Sequence, residues 1–302
     1  MKLGICIVFY GKSEESFNKL SKVIRSVEAQ TYLPKTVILI VNNAVELGIN
    51  AKNIHKKLNL NTNKVLIKII DNENNGYSGG NNKGLNILFK KYNADMVLIL
   101  NPDVELDRHY LEEIDLKNDT DCIKSGFEMH SKNEVKLLST IPFKINAKIL
   151  NSMNYLQGSN IILSKSVYFK IIKKHGYFFK NYFMYFEDTD LFYRLRVDGF
   201  CFFKKNKAKF KHRNMTNKNE NYKKYRVLYS IRNSYFYVIE NFSKAKMKDK
   251  IKFIFYLFYF NLIKVLLLSV LEPEFRKSFI SGLNPLIKSI INHQTGRIKE
   301  FE

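Results

Sequence analysis

Four apolar runs separated by amphipathic stretches constrain the first hundred residues more than any other feature. Leu3–Phe9, Thr36–Val41, Val65–Ile70 and Met96–Leu100 each have the length of a strand and few polar residues. Short, nearly continuous apolar runs read as strands buried on both faces, the pattern of parallel sheets covered by helices. Between the first two runs, Ser13 is placed to cap a helix with Glu14 and Glu15 in its first turn. Phe17, Leu20, Val23, Ile24 and Val27 then share one helical face, and Pro34 ends the connection. A Gly- and Asn-rich segment, Asn72–Asn82, reads as a loop, followed by a helical stripe of Leu85, Leu88, Phe89 and Tyr92. Alternating strands and helices predict an α/β fold with a mostly parallel central sheet and right-handed crossovers.

The fourth run stops at Pro102, which cannot continue a ladder. Asp103 therefore falls just past a strand end, where open α/β sheets bind ligands. From about Leu106 the pattern changes. Short strands are predicted near Cys122–Met129, Val135–Thr140 and Gly158–Leu163. Ser164 should cap a helix ending at His175, and Asp188 or Thr189 should begin another that stops near Gly199. Cys201–Lys211 alternates weakly and reads as a strand before His212. Beyond it the chain turns helical and very basic, so two regions are expected, 1–214 and 215–302.

The formal net charge of +22 favours polyanionic partners: nucleic acid, anionic lipid or nucleotide phosphates. Abundant Asn and Ile point equally to a compositional source for part of the excess. Three cysteines, Cys6, Cys122 and Cys201, make an odd count without metal spacing, and Cys6 lies in an apolar run. This fits a reducing compartment. The apolar run Leu3–Tyr10 is short and no small-residue cleavage site follows it, so it reads as a strand rather than a secretory signal.

Three ordered motifs carry a resemblance. They are Asn74-Asn75-Gly76-Tyr77-Ser78-Gly79-Gly80-Asn81-Asn82-Lys83-Gly84, then Leu100-Asn101-Pro102-Asp103-Val104, then Phe183-Met184-Tyr185-Phe186-Glu187-Asp188-Thr189-Asp190-Leu191 with Arg194. In this order and spacing they resemble the inverting family-two glycosyltransferases, and within them the rhamnosyltransferase-like enzymes of bacterial surface-polysaccharide synthesis. The resemblance covers about residues 3–214, with a looser echo at Arg232-Asn233 and Gly282–Gly296.

The resemblance implies a GT-A fold, Rossmann-like with helices flanking the sheet, and a nucleotide-diphosphate sugar donor linked to dTDP or UDP. Asp103 is similar to the last acid of the family's DXD motif, where a hard carboxylate oxygen suits Mn2+ or Mg2+. Asn-Pro-Asp is also plain turn chemistry. Asn101 stands at the motif's first position and carries no charge. His212 matches a late metal ligand, or is a surface histidine among Lys209, Lys211 and Arg213. Asp188 matches the catalytic base, whose position at a helix N-terminus favours the ionised form. Glu187 is placed to orient acceptor or base, and Arg194 either pairs with Asp190 at i,i+4 or approaches the diphosphate. Nucleotide contacts are implied for Phe9, Tyr10 and Gly11 after the first strand, for Asn42 after the second, where the family usually has Asp, and for Asn74, Gly76, Asn82 and Asn101. An Asn42 carbonyl can accept from the N3–H of uracil or thymine.

Ile251–Leu271 is long enough to span a bilayer, but Lys264 near its middle fits a helix lying in the interface better. Lys244, Lys246, Lys248 and Lys250 flank it and would meet an anionic membrane surface. A buried hairpin or a dimer interface is the other reading. The leading expectation is a metal-dependent transferase, peripheral on the cytoplasmic face of the cell membrane, acting on a saccharide or lipid-linked saccharide. Galactofuranosyl or other hexosyl transfer is the alternative within the enzyme class. A basic nucleic-acid-binding protein is the alternative outside it, although no nucleic-acid signature is visible. Asn42 and Asn101 also keep open a catalytically inactive binding module.

Overall fold

A computed structural model of the chain describes residues 1–58, 64–129, 156, 158–213, 220–243, 247, 250, 251, 254 and 273–298, with backbone alone at 220–226, 273–275 and 278. The described residues cluster into two compact units. One comprises those of Met1–Glu134, Asn154–Lys180 and Leu191–Met215. The other comprises Asn181–Asp190 and those from 220 onward.

The first unit is built on one eight-stranded sheet in the order β3-β2-β1-β4-β7-β6-β8-β5. Its strands are β1 (Lys2–Phe9), β2 (Lys35–Asn42), β3 (Leu66–Asp71), β4 (Met96–Leu100), β5 (Val104–Leu106), β6 (Ile123–Glu128), β7 (Asn160–Ser164) and β8 (Phe202–His212). The four apolar runs become β1 to β4, all parallel, as expected. Their side chains divide by the strand period of two. Leu3, Ile5, Ile7 and Phe9 pack against the apolar face of α1 (Glu14–Glu28), and Cys6 and Val8 pack with Leu85, Leu88 and Phe89 on the opposite face. Ser13 caps α1 by accepting from the Ser16 amide at 3.2 Å.

Beyond β4 the sheet becomes mixed. β7 runs antiparallel to β4, β6 antiparallel to β7, β8 parallel to β6, and the three-residue β5 antiparallel to β8. Strand β5 was not expected, because three residues carry too little periodicity to show. The helices are α2 (Ala51–Leu58), α3 (Gly76–Asn86), α4 (Tyr110–Glu113), α5 (Lys165–His175), α6 (Glu187–Val197), α7 (Glu220–Phe242) and α8 (Pro273–Ile291). As expected, Ser164 caps α5, accepting from the Val167 amide at 3.3 Å. Helix α6 starts one residue before Asp188 and is followed by Gly199 at φ 75°.

Two readings are corrected. The Gly/Asn-rich segment is a loop only to Asn75; from Gly76 it is helix α3, continued by a π-helical turn at Ile87–Lys91. Gly80 and Gly84 serve close packing on the sheet rather than a turn. A Cβ at Gly84 would sit 2.2 Å from Cys6 Sγ, and one at Gly80 would sit 2.7 Å from Val8 Cγ1. The odd cysteine count also hid a pair. Cys122 and Cys201 form a disulfide, because the register Ile123↔Phe202 between β6 and β8 sets the preceding residues side by side. Cys6 is free and buried as expected, and burial pushes its thiol up to about 12.

In the second unit, Phe183, Val227, Leu228, Tyr229, Phe279, Leu286 and Ile298 form a core between α7 and α8. The expected strand at Val135–Thr140 and most of Ile251–Leu271 lie outside the described residues. Among the described residues, no helix is long and apolar enough to cross a membrane.

Gly84→Ala tests the close packing of α3. Helix propensity alone would make this change stabilising by about 1 kcal/mol. Steric overlap with Cys6 should reverse the sign and cost about 1–3 kcal/mol, read as a lower midpoint in urea unfolding.

Candidate functional site

The C-terminal ends of the parallel strands form one edge. Register aligns Phe9 with Asn42 and Asn42 with Asp71, so the last residues of β1, β2 and β3 lie in a row. Asn42 is fully buried, and its amide is engaged on both sides. Its Nδ2 donates to Ile49 O at 2.7 Å and to Asp71 Oδ1 at 2.8 Å, and its Oδ1 accepts from the Ala44 amide at 3.0 Å. The outward carboxylate on this row is that of Asp71, which the sequence reading passed over.

Tyr10 and Asn74 converge. The Tyr10 hydroxyl and Asn74 Nδ2 both donate to Glu46 Oε1, at 3.1 and 2.9 Å. Gly76 has φ 70°, and its carbonyl accepts from Asn43 Nδ2 at 2.9 Å. Gly11 lies against the N-terminus of α1, where a Cβ would stand 2.6 Å from Ser16 Cβ. Two other expected contacts are structural. Phe9 is buried against Phe17, and Asn82 pins the backbone of Phe179, donating to its carbonyl at 2.7 Å and accepting from its amide at 2.9 Å.

Past the end of β4, sheet register builds a second cluster. Val104 pairs with His212 across β5 and β8, which brings Asp103 alongside His212. Asp103 Oδ1 lies 3.3 Å from His212 Nε2, and the Asp103 carbonyl accepts from the Arg213 amide at 2.9 Å. From β6, Glu128 brings Oε1 within 3.8 Å of His212 Nδ1. Sequence reasoning missed Glu128, since only the pairing of β6 with β8 carries it to this place. Burial works against a charged imidazole here. The bond to Asp103 and the charges of Asp103 and Glu128 outweigh it and raise the pKa of His212 above the usual histidine value. Beside them, Asn101 Oδ1 is buried with no hydrogen-bond partner among the described residues.

These groups suit a divalent cation. Adjacent ligands of an octahedral ion with bonds of about 2.1 Å stand about 3 Å apart, close to the spacing of Asp103 Oδ1 and His212 Nε2. Glu128, 3.8 Å from the other ring nitrogen, adds a second negative charge beside the imidazole without a hydrogen bond to it. Among the described residues, no group of three or more His, Cys, Asp or Glu is placed to hold a metal ion. Two protein donors would leave positions for phosphate oxygens and water.

The sequence of β1 to α5 decides the assignment. The profile of the family described as Glycosyl transferase family 2 matches residues 4–179. The chain belongs to glycosyl transferase family 2. This family 2 chain is 28% identical over 143 residues to the "Low-salt glycan biosynthesis hexosyltransferase Agl10" of Haloferax volcanii, a match covering 42% of the chain and 45% of that relative. The chain thus spans less than half the length of that curated relative. In fold it is similar to the mannosyltransferase PcManGT from Pyrobaculum calidifontis, solved in complex with GDP-Man and Mn2+. The TM-score is 0.59 at 11% identity, over 96% of this chain and 79% of that one. The fold is GT-A.

The acidic motif lies in the second unit, at the start of α6. Glu187 and Asp190 are buried, and Asp188 is half-buried, with its Oδ1 accepting from the Thr189 amide at 2.7 Å. Burial, and then the adjacent charge of Asp188, raise the pKa of Glu187 well above the ordinary carboxylate range. Its Oε2 has no hydrogen-bond partner among the described residues. The backbone leading into the pair is strained. Phe183, Tyr185 and Phe186 have φ of 67°, 64° and 74°, each costing roughly 1–2 kcal/mol for a residue with a Cβ. Arg194, in the first unit, donates to Phe178 O at 2.9 Å and lies over the Tyr177 ring at 4.8 Å.

NMR of the histidine ring protons in metal-free protein should find His212 titrating above about 6.5. In Asp103→Asn it should titrate lower, since burial is then less opposed. Because the folded value is the raised one, the stability from this contact is complete below about pH 6.5 and is lost as pH rises through the folded value.

Proposed function

We propose that this chain is an inverting glycosyltransferase that moves a sugar from a nucleotide-diphosphate donor to a saccharide or lipid-linked saccharide in surface-glycan synthesis. The observation that carries the proposal is the Asp103–His212 pair, 3.3 Å apart, past the end of β4 and at the end of β8 in a family 2 chain. Rhamnose from a dTDP- or UDP-linked donor is the first candidate, on the motif at Asn101–Asp103. Hexosyl transfer is the second, favoured by the relative named a hexosyltransferase and by the structural neighbour holding GDP-Man.

In this reading Asp103 and His212 hold Mn2+ or Mg2+, and Asn101 supplies its free oxygen toward the ion or a water bound to it. The ion, when bound, neutralises charge on the departing diphosphate. The row Phe9–Asn42–Asp71 receives the base. Asn42 supports Asp71, whose carboxylate takes the N3–H that Asn42 was expected to take. Tyr10, Asn74 and Glu46 line the same edge. Asp188 accepts the proton of the acceptor hydroxyl as its oxygen bonds to the anomeric carbon and the bond from that carbon to the diphosphate breaks. Glu187 orients the acceptor or Asp188.

The membrane reading is also proposed, at the cytoplasmic face. It is supported by Met247, Ile251 and Ile254, exposed at helical spacing beside Lys250, and by the apolar run that continues from them in the sequence.

Thermal shift with UDP-, dTDP- and GDP-sugars in Mn2+ should select a donor, and EDTA should abolish both the shift and turnover. Full activity in EDTA would remove the metal from the proposal. Asp188→Asn should lower transfer by at least about 10²-fold with donor binding unchanged, and wild-type turnover would exclude it as the base. For the membrane, flotation with vesicles rich in anionic lipid should carry the protein at low salt and release much of it in 1 M salt, on the order of a 3 Å screening length. Absence of flotation at low salt would refute the surface association.

A further inference from the structure

The backbone from Tyr182 to Phe186 delivers Glu187 and Asp188 to the start of α6, and it belongs to no regular helix or strand. One side chain holds most of it. Asn233, fully buried on α7, donates through Nδ2 to the carbonyls of Tyr182, Met184 and Tyr185 at 3.1, 2.8 and 2.9 Å. Those carbonyls lie among the residues with left-handed φ, Phe183, Tyr185 and Phe186. None of the three is glycine, so nothing local favours this path, and an outside restraint must impose it.

Asn233 is in turn held by its neighbour. Its Oδ1 accepts from Arg232 Nε at 2.8 Å. Arg232 is also fully buried, and its guanidinium donates to Tyr182 O at 3.0 Å, Gly296 O at 2.7 Å and Thr295 O. Among the described residues these bonds end on carbonyls and on Asn233, and none on a carboxylate. Burial lowers the Arg232 pKa to about 10, which leaves it charged at neutral pH. A buried guanidinium without a counter-ion is a poor source of stability, since an apolar side chain of similar volume would avoid the desolvation cost. Its rigid fork of donors is suited instead to fixing the directions of several carbonyls at once.

We infer that Arg232 and Asn233 are positioning residues for Asp188. They hold the strained Tyr182–Phe186 turn in the one path that presents the acidic pair to the acceptor. The inference rests on the proposed role of Asp188 as base, and it adds residues beyond the 4–179 segment that the family profile matches.

The test is steady-state transfer with Mn2+ on the UDP-, dTDP- and GDP-sugar panel, read as released nucleoside diphosphate, with thermal unfolding in parallel. Asn233→Ala should lower kcat by about 10²-fold, the scale of a misplaced reacting group, and leave the donor KM unchanged. Asn233→Ser, which keeps one donor and is milder to the fold, should fall between it and wild type. Arg232→Lys, which keeps the charge but not the fork, should lower kcat in the same way. Asp188→Asn/Asn233→Ala should be no slower than Asp188→Asn, because a base that is absent cannot be misplaced. Wild-type kcat in folded Asn233→Ala or Asn233→Ser, with only the melting temperature lowered, would overturn the inference. Losses that multiply in the double variant would overturn it too. Wild-type turnover in Asp188→Asn would be a different failure, that of the base itself, and the positioning role would fall with it.

Discussion

Antiparallel pairing of β5 with β8 sets Val104 opposite His212, and the Asp103–His212 cluster depends on that register. A slip of one residue would turn His212 to the other face of the sheet, since side chains alternate along a strand. Several contacts oppose such a slip. The Arg213 amide donates to the Asp103 carbonyl, and Arg213 pairs with Glu105 at 2.6 Å. Leu106 and Phe210, opposite each other on the same ladder, are buried in the core with Tyr110. The disulfide between Cys122 and Cys201 ties the starts of β6 and β8 together at the far end of that parallel pair. Two carboxylates and a histidine, from the turn before β5 and the ends of β6 and β8, are therefore held by backbone pairing and not by their own weak attraction.

The two acidic sites are stabilised differently. Asp103 and Glu128 face an imidazole whose raised pKa shows that their charges outweigh the cost of its burial. A divalent cation in that place would replace the proton and meet the same field. Among the described residues Glu187 Oε2 has no hydrogen-bond partner, and burial, then the charge of Asp188, raises its pKa well above the ordinary carboxylate range.

Strain and its restraint meet in the second unit. Three left-handed residues in a row of four would not persist in a solvated loop. Here the amide of Asn233 and the guanidinium of Arg232 bond the carbonyls around them, and Phe183 packs on Tyr229 at 5.1 Å. The aromatic residues before Glu187 thus belong to the core of α7 and α8, although in sequence they precede α6.

Local periodicity was enough to read β1 to β4, α1, α5 and the start of α6, because each buries a face whose spacing is written in consecutive residues. The motifs around Asn74, Asp103 and Asp188 were legible because each is a short continuous segment whose order and spacing resemble those of the family. What lay beyond reach were the facts that arise from pairing residues distant in sequence. Glu128 meets His212, Cys122 meets Cys201, and Asn42 spends its amide on Asp71 only because strand register brings them together. The glycines of α3 read as a loop because their reason, contact with Cys6 and Val8, is tertiary. The association of Asn181–Asp190 with α7 and α8 was likewise decided by Arg232 and Asn233, whose carbonyl partners no spacing in the sequence could have named.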